Sequence, residues 1–216
     1  MSKYEAILFD LDGTLTDPKE GILNSIEYAL LKFGIIVDQR QTLVPFIGPP
    51  LQESFQNYFG FNSHQAWQAV QYYREYFAGK GLFENYVYPG IPELLVKLNE
   101  DYRFLAVATS KPTIYSERIL EHFKLKEYFQ LVVGSNLDGT RVAKTEVIRE
   151  VLAKVPQFSK DSIIMVGDRE HDIIGAKNNQ ISSVGVTYSF GSEDELKAAG
   201  AEYLAGTVQE LEKALL

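Results

Sequence analysis

The sequence predicts an α/β protein in which a doubly wound parallel sheet carries a small inserted helical domain. Strands alternate with helices of about 10 residues from residue 88 onward, as in repeated βαβ units. The run 6–9 is apolar at every position, which is typical of a buried parallel strand. The segment 37–81 contains no strand pattern. We therefore expect a discontinuous Rossmann-like core, residues 1–16 and 88–216, and an inserted helical domain of residues 17–87.

The first strand is predicted over 4–9, and the polar segment Asp10-Leu11-Asp12-Gly13-Thr14 follows it directly. The helix after this segment has clear boundary signals. Asp17 is expected as its N-cap, Pro18 suits the first helical position, and Gly34 ends it. Apolar residues between these limits are spaced by 3 and 4, as on the buried face of a helix.

The inserted segment predicts two further helices and a loop. The helices are expected over 51–59 and 63–78, the second capped by Ser63 and stopped by Gly79. Proline and glycine are concentrated in 43–51, which indicates a loop. Because this segment is rich in aromatic residues, we expect them to form the core of a small bundle.

The rest of the chain alternates regularly between strands and helices. Strands are predicted over 104–108, 131–134, 163–166, 183–186 and 201–204. Helices are predicted over 92–100, 113–123, 144–153, 172–178, 193–199 and 208–216. In such sheets ligands bind outside the carboxyl ends of the strands, so polar residues that follow strands are the candidates for a site.

Composition excludes several classes of function. The formal net charge of −8 and a pI near 5.0 disfavour a nucleic acid polymer or an anionic membrane as partner. The chain has no cysteine, which excludes disulfides, a thiolate nucleophile and cysteine-ligated zinc. The first residues do not form a signal peptide, and no apolar run approaches the roughly 20 residues of a membrane span. We expect a cytoplasmic protein.

The residues at the predicted strand ends are mostly acidic, with hydroxyl groups and one lysine among them. They are Asp10, Asp12, Thr109, Ser110, Lys144, Asp168 and Asp172. Carboxylates gathered at one edge repel one another unless a cation neutralises them. Oxygen ligands without cysteine or a histidine pair favour a hard ion such as Mg²⁺. Such an ion beside a lysine and a hydroxyl suits a phosphoryl group.

Asp10 and Asp12 are two positions apart, so their side chains point to the same side if the backbone stays extended. Two such carboxylates can divide the work of phosphoryl transfer. One attacks phosphorus and becomes an aspartyl phosphate. The other protonates the leaving oxygen and later activates water.

Four segments of the chain resemble the motifs of the haloacid dehalogenase (HAD) superfamily. Asp10-Leu11-Asp12-Gly13-Thr14-Leu15 is similar to the first motif, and Val107-Ala108-Thr109-Ser110-Lys111-Pro112 contains the second. Val142-Ala143-Lys144-Thr145-Glu146 is similar to the third, and Gly167-Asp168-Arg169-Glu170-His171-Asp172 to the fourth. The four occur in the expected order, each at a predicted strand end or helix start.

The resemblance implies a role for each of these residues. Asp10 would be both the nucleophile and a metal ligand. Asp12 would be the general acid and base, and its backbone carbonyl would also reach Mg²⁺. Asp168 would be a metal ligand, and Asp172 either a ligand or a carboxylate that supports one. The residues expected to bind the phosphoryl group are Thr109, Ser110 and Lys144.

The inserted segment resembles the helical C1 cap of this superfamily, with hinges near 16–18 and 88–90. The most similar subgroup is that of phosphoglycolate phosphatases and 5′-nucleotidase-like enzymes. The segment containing Phe46, Gly48 and Pro49 resembles their cap loop, which faces the nucleophile and helps to choose the substrate.

We therefore expect a monomeric Mg²⁺-dependent phosphatase acting on a small phosphorylated metabolite. The sequence does not decide among a nucleoside 5′-monophosphate, phosphoglycolate, pyrophosphate and a sugar phosphate. A phosphomutase resembling β-phosphoglucomutase is the first alternative, and a non-catalytic phosphate-binding regulator is the second. A haloacid dehalogenase is disfavoured, because that branch lacks the acid/base residue that Asp12 supplies.

Overall fold

The computed structural model describes residues 3–216, which form two compact units. The core unit comprises the chain up to Thr16 and the segment Val87–Leu216. The inserted unit is Asp17–Tyr86. No helix among the described residues is both long and apolar enough to cross a membrane.

Six of the eight strands within residues 3–216 form one sheet. The strands are β1 (Ala6–Phe9), β2 (Thr16–Asp17), β3 (Tyr86–Val87), β4 (Phe104–Pro112), β5 (Leu131–Ser135), β6 (Ile163–Gly167), β7 (Ser182–Val186) and β8 (Tyr203–Ala205). The large sheet has the order β5-β4-β1-β6-β7-β8, with every neighbouring pair parallel. β2 and β3 pair separately. The chain fills the sheet on one side of β1 and then on the other, so the predicted doubly wound α/β fold is confirmed.

Nine α-helices accompany the strands in the described part of the chain. They are α1 (Lys19–Leu31), α2 (Leu51–Phe59), α3 (Ser63–Tyr76), α4 (Ile91–Glu100), α5 (Thr113–His122), α6 (Lys144–Lys154), α7 (Glu170–Asn179), α8 (Glu193–Ala199) and α9 (Val208–Leu215). Short 3₁₀ turns occupy Arg40–Phe46, Lys126–Tyr128 and Lys160–Ser162, and a π turn follows α3 at Phe77–Gly81.

The sheet is apolar because helices cover both of its faces. All four residues of β1 are fully buried, which explains why 6–9 lacks the alternation of a half-exposed strand. On one face, Leu8 and Met165 belong to a cluster completed by Ile148 of α6 and Ala176 of α7. The centre of this core unit is therefore mostly apolar, and the buried carboxylates Asp10 and Asp168 each follow a strand.

β4 is longer than the sequence predicts, because it continues to Pro112 instead of ending at Ala108. Its register with β5 is irregular between these two residues. Gly134 of β5 allows the close approach, since a Cβ there would lie 2.2 Å from the carbonyl oxygen of Lys111. Thr109 thus lies within a strand.

The inserted unit is helical, and two of its helix caps differ from the predicted ones. Pro18 takes the N-cap position of α1, and Asp17 accepts the Lys19 N–H at 3.0 Å from one position earlier. Asn62, rather than Ser63, caps α3, because its side chain and that of Gln65 bond each other's backbone N–H.

Candidate active site

The strand register aligns the ends of β1 and β6 with the middle of β4. Phe9, the last residue of β1, pairs with Val107 on one side and Val166 on the other. The Asp10 N–H continues this ladder by donating to the Val166 carbonyl at 2.9 Å. The residues that follow β1 and β6 therefore lie at the same edge of the sheet as the second half of β4.

Three buried carboxylates meet at this edge and form the acidic cluster, Asp10, Asp168 and Asp172. One oxygen from each lies within 4.8 Å of the others. Lys144, the first residue of α6, places Nζ 2.7 Å from Asp10 Oδ1 and 2.8 Å from Asp172 Oδ1. Its Nζ also donates to the Ala108 carbonyl at 3.0 Å. The ammonium group thus ties the end of β1 and the middle of β4 to the first turn of α7.

Burial and mutual repulsion control ionisation in this cluster. Burial raises the pKa of Asp168 well above its usual range, and the charges of Asp172 and Asp10 raise it further. Burial also raises the pKa of Asp172, to about 6, against the opposing effect of Lys144. Burial lowers the pKa of Lys144, but the carboxylates of Asp10 and Asp172 outweigh this effect, so the pKa of Lys144 is raised. Within the described residues, then, the carboxylates outnumber their ammonium partner.

Two glycines allow the backbone to approach the cluster. A Cβ on Gly167 would lie 2.2 Å from Asp172 Cγ, and a Cβ on Gly13 would lie 2.3 Å from Asp168 Oδ2. Gly13 also has a φ of +84°, which an L side chain rarely adopts. Both glycines of the predicted motifs are therefore explained by contact with a carboxylate.

The loop after β7 holds Asp168, and its position after a strand is the only feature of the sequence that points to this loop. Ser189 Oγ donates to Asp168 Oδ2 at 3.0 Å, and the Phe190 N–H points to the same oxygen at 3.3 Å. The Tyr188 hydroxyl donates to the Thr14 carbonyl at 2.8 Å. This loop therefore contacts both the metal-ligand candidate and the turn that contains Gly13.

Asp12 lies beside the cluster and is paired with a lysine that sequence reasoning missed. Lys111 Nζ is 2.5 Å from Asp12 Oδ2, and only 6% of the Lys111 side chain is exposed. Burial raises the pKa of Asp12, while the Lys111 charge lowers it. A lysine just after a strand core was the only signal for Lys111, and such a lysine is usually solvated.

The donor set fits a hard divalent cation. The acidic cluster offers carboxylate oxygens, which suit Mg²⁺ or a similar ion. Asp168 Oδ1 is buried and accepts no hydrogen bond from residues 3–216. The acidic cluster and Asp12 together bring four carboxylates against the two ammonium groups of Lys111 and Lys144, an excess equal to one divalent charge. A metal ion would satisfy both the orphaned oxygen and the charge.

The remaining predicted residues are placed differently. Thr109 is buried in β4, where its Oγ1 accepts the Lys111 N–H at 3.2 Å, and Ser110 beside it is half-buried. Phe46 is buried within the inserted unit, with its ring centroid 5.4 Å from that of Phe55. Gly48 is exposed and Pro49 half-buried. The expected role of this loop in choosing the substrate stays a prediction.

Comparison with known proteins gives the family. Residues 7–186 match the family model described as haloacid dehalogenase-like hydrolase. A protein of Pseudomonas aeruginosa named 5′-nucleotidase is 48% identical over 91% of this chain and 88% of its own length. The tyrosine-protein kinase PtkA of Mycobacterium tuberculosis is 34% identical over 98% of this chain and 72% of its own length.

Among solved structures, a predicted phosphatase from Clostridium acetobutylicum superposes with a TM-score of 0.94. It is 52% identical, and the match covers 98% of both chains. The match to the family model alone covers well over half of this chain, including all four sequence motifs. The protein therefore belongs to the haloacid dehalogenase-like hydrolase family, as its motifs predict.

Proposed function

We propose that the protein is a Mg²⁺-dependent phosphomonoesterase that acts on a small phosphorylated metabolite through an aspartyl phosphate at Asp10. The observation that carries this proposal is the buried convergence of Asp10, Asp168, Asp172 and Lys144 at the end of β1. A catalyst of phosphoryl transfer needs a fixed nucleophile among groups that neutralise the equatorial oxygens.

The attacking group is the Asp10 carboxylate. Its backbone N–H is fixed by β6 and its Oδ1 by Lys144, so little conformational freedom is left to lose when substrate binds. A new bond forms between an Asp10 oxygen and phosphorus as the ester bond to the leaving oxygen breaks. Lys144 supplies positive charge beside Asp10 Oδ1. Mg²⁺ held by the acidic cluster would supply further charge neutralisation for the phosphoryl oxygens.

Asp12 completes both half-reactions. Its carboxyl group gives a proton to the leaving oxygen in the first step. The resulting carboxylate takes a proton from water in the second step, in which water attacks the aspartyl phosphate and inorganic phosphate is released. Thr109 and Ser110 remain our candidates for additional hydrogen bonds to the phosphoryl group.

The name of the 48% identical relative supports a nucleoside 5′-monophosphate as the first substrate to test. Phosphoglycolate is the second, as the sequence resemblance implies. Detection of an isomerised sugar phosphate without phosphate release would indicate the mutase alternative instead. A monomeric state and a cytoplasmic location stay predictions.

The test is the variant Asp10→Asn, assayed for phosphate release from p-nitrophenyl phosphate and adenosine 5′-monophosphate with MgCl₂. We expect a loss of at least about 10³-fold in kcat, because an amide is a poor nucleophile and the aspartyl phosphate cannot form. Asp138→Asn is the matched control, since Asp138 is an exposed aspartate in a turn where Asp138-Gly139-Thr140 repeats part of the first motif. Substantial turnover by Asp10→Asn, or equal losses in both variants, would refute the proposal.

A further inference from the structure

Lys111 is a buried ammonium group in the candidate site to which the family motifs assign no role. Burial of an unpaired ammonium costs several kcal/mol, so its ion pair with Asp12 is the feature to be explained. Lys144 cannot serve Asp12 in its place, because its Nζ already contacts Asp10, Asp172 and the Ala108 carbonyl. The two lysines therefore serve different carboxylates.

The two oxygens of Asp12 have different surroundings. Oδ2 is 2.5 Å from Lys111 Nζ. Oδ1 is buried and accepts no hydrogen bond from any residue of the described chain. A carboxyl group held at one oxygen keeps the other oriented for a ligand. Here the group belongs to Asp12, which is two residues along the chain from Asp10, the proposed nucleophile.

The backbone of Lys111 is itself fixed. Its N–H donates to Thr109 Oγ1 at 3.2 Å, and its carbonyl oxygen lies against Gly134 of the neighbouring strand, where a Cβ would be only 2.2 Å away. The side chain therefore extends to Asp12 from a rigid position in β4. Positions on strands are suited to hold a catalytic group more closely than positions in loops.

We propose that Lys111 is a positioning residue for Asp12, holding Oδ2 so that Oδ1 meets the leaving oxygen of the substrate. This inference rests on the proposed function. As the bond between phosphorus and the leaving oxygen breaks, the proton of Asp12 passes to that oxygen. The Lys111 ammonium is then the counter-charge of the carboxylate that remains.

If Lys111 has this role, the effect of losing it on the rate of hydrolysis depends on the leaving group of the substrate. An alkyl alcohol such as the ribose of a nucleotide leaves poorly as an anion and needs the proton of Asp12. The p-nitrophenolate anion is stable and leaves almost without it. Loss of Lys111 should therefore slow the hydrolysis of an alkyl ester far more than that of p-nitrophenyl phosphate.

The experiment compares kcat and KM of Lys111→Met, Asp12→Asn, the double variant and Lys144→Met on adenosine 5′-monophosphate and p-nitrophenyl phosphate. For Lys111→Met we expect kcat to fall about 100-fold on the nucleotide but less than about 5-fold on the aryl ester, with little change in KM. The double variant should be no slower than Asp12→Asn alone, since both changes remove one function. Lys144→Met should slow both esters alike.

Lys111→Arg should recover part of the nucleotide activity, because it restores the charge in a different shape. Far-UV circular dichroism shows whether each variant is folded, and Lys111→Gln replaces Lys111→Met if the latter is not. Equal losses of Lys111→Met on both esters, or losses that multiply with those of Asp12→Asn, would overturn the role of Lys111. If the wild type hydrolyses neither ester, the proposed function is overturned, and the role of Lys111 with it.

Discussion

At the scale of single residues, Gly13 tests how tightly the turn after β1 packs on the site. The variant Gly13→Ala would place a Cβ 2.3 Å from Asp168 Oδ2 and 2.7 Å from Ser189 Oγ, at a φ of +84°. Gly139→Ala is a matched control, because its φ is +87° and nothing lies within 4 Å of the added Cβ. We expect both variants to lose about 1 kcal/mol from the unfavourable backbone conformation.

Only Gly13→Ala should also displace the Asp168 carboxylate. Its phosphatase activity should fall at least about 100-fold, since small misplacements of catalytic groups carry losses of that size. Urea unfolding measures the stability of each variant, and phosphate release measures activity. A Gly13→Ala enzyme as active as Gly139→Ala would contradict the close packing of the turn.

The residues that could be predicted are those with a strong local signal. Asp10 and Asp168 each follow an apolar strand run, and an acidic residue in that position is unusual enough to be recognised from the sequence alone. Lys111 and Ser189 have no such signal, because a lysine or serine near a strand end is usually solvated. Their partners, Asp12 and Asp168, are distant in sequence, and only the strand order of the sheet brings them into contact.

At the scale of elements, the loop after β7 controls one metal-ligand candidate. In Ser189→Ala, Asp168 Oδ2 loses a hydrogen bond of 3.0 Å, and its carboxylate becomes freer to rotate. We expect the affinity for Mg²⁺ to fall about 10-fold, within the range found when partners of ligating carboxylates are removed. Calorimetric titration of chelator-treated protein with MgCl₂ measures this without substrate.

The control for this variant is Ser192→Ala, three residues further along the chain. Ser192 caps α8 by accepting the Glu195 N–H at 3.1 Å. Its loss should lower stability by about 1 kcal/mol while leaving Mg²⁺ affinity unchanged. If the two serine variants bind Mg²⁺ equally well, the loop does not orient Asp168.

Element boundaries show where sequence patterns stop being sufficient. The range predicted for α8, 193–199, matches the observed one. In the structure Ser192 caps its first turn, and Gly200 follows its last residue in the left-handed conformation. The extension of β4 is not predicted, because it depends on Gly134 in the neighbouring strand having no Cβ. A contact across the sheet leaves no periodicity in the strand that it lengthens.

At the scale of the whole molecule, the fold concentrates charge at one edge of an otherwise apolar sheet. Each βα unit of the core adds a strand whose interior must be apolar, so its polar residues are left at the strand end. The alternation of strands and helices was therefore enough to predict that Asp10, Lys144 and Asp168 meet. It was not enough to predict which carboxylate each lysine serves, since that depends on the lengths and registers of the strands.

This concentration of buried acid makes the effect of Mg²⁺ on stability depend on pH. Burial raises the pKa of Asp168, and that of Asp172 to about 6, above the value of about 4 expected in the unfolded chain. Between these values the folded state binds more protons than the unfolded state, so the metal-free protein loses stability as the pH rises. Mg²⁺ requires the ionised carboxylates and compensates for this loss, so its stabilising effect should grow with pH.

We expect Mg²⁺ at about 100 times its Kd to add about 2.7 kcal/mol at pH 7.5, a rise in Tm of about 5–10 °C, and much less at pH 5.5. Thermal unfolding of chelator-treated protein, with and without MgCl₂ at both pH values, measures the difference. NaCl at equal ionic strength and the variant Asp168→Asn separate binding at the acidic cluster from general screening of the net charge of −8. Because other titrating groups contribute equally with and without the metal, an equal Tm rise at both pH values would mean that the buried carboxylates do not bind the ion.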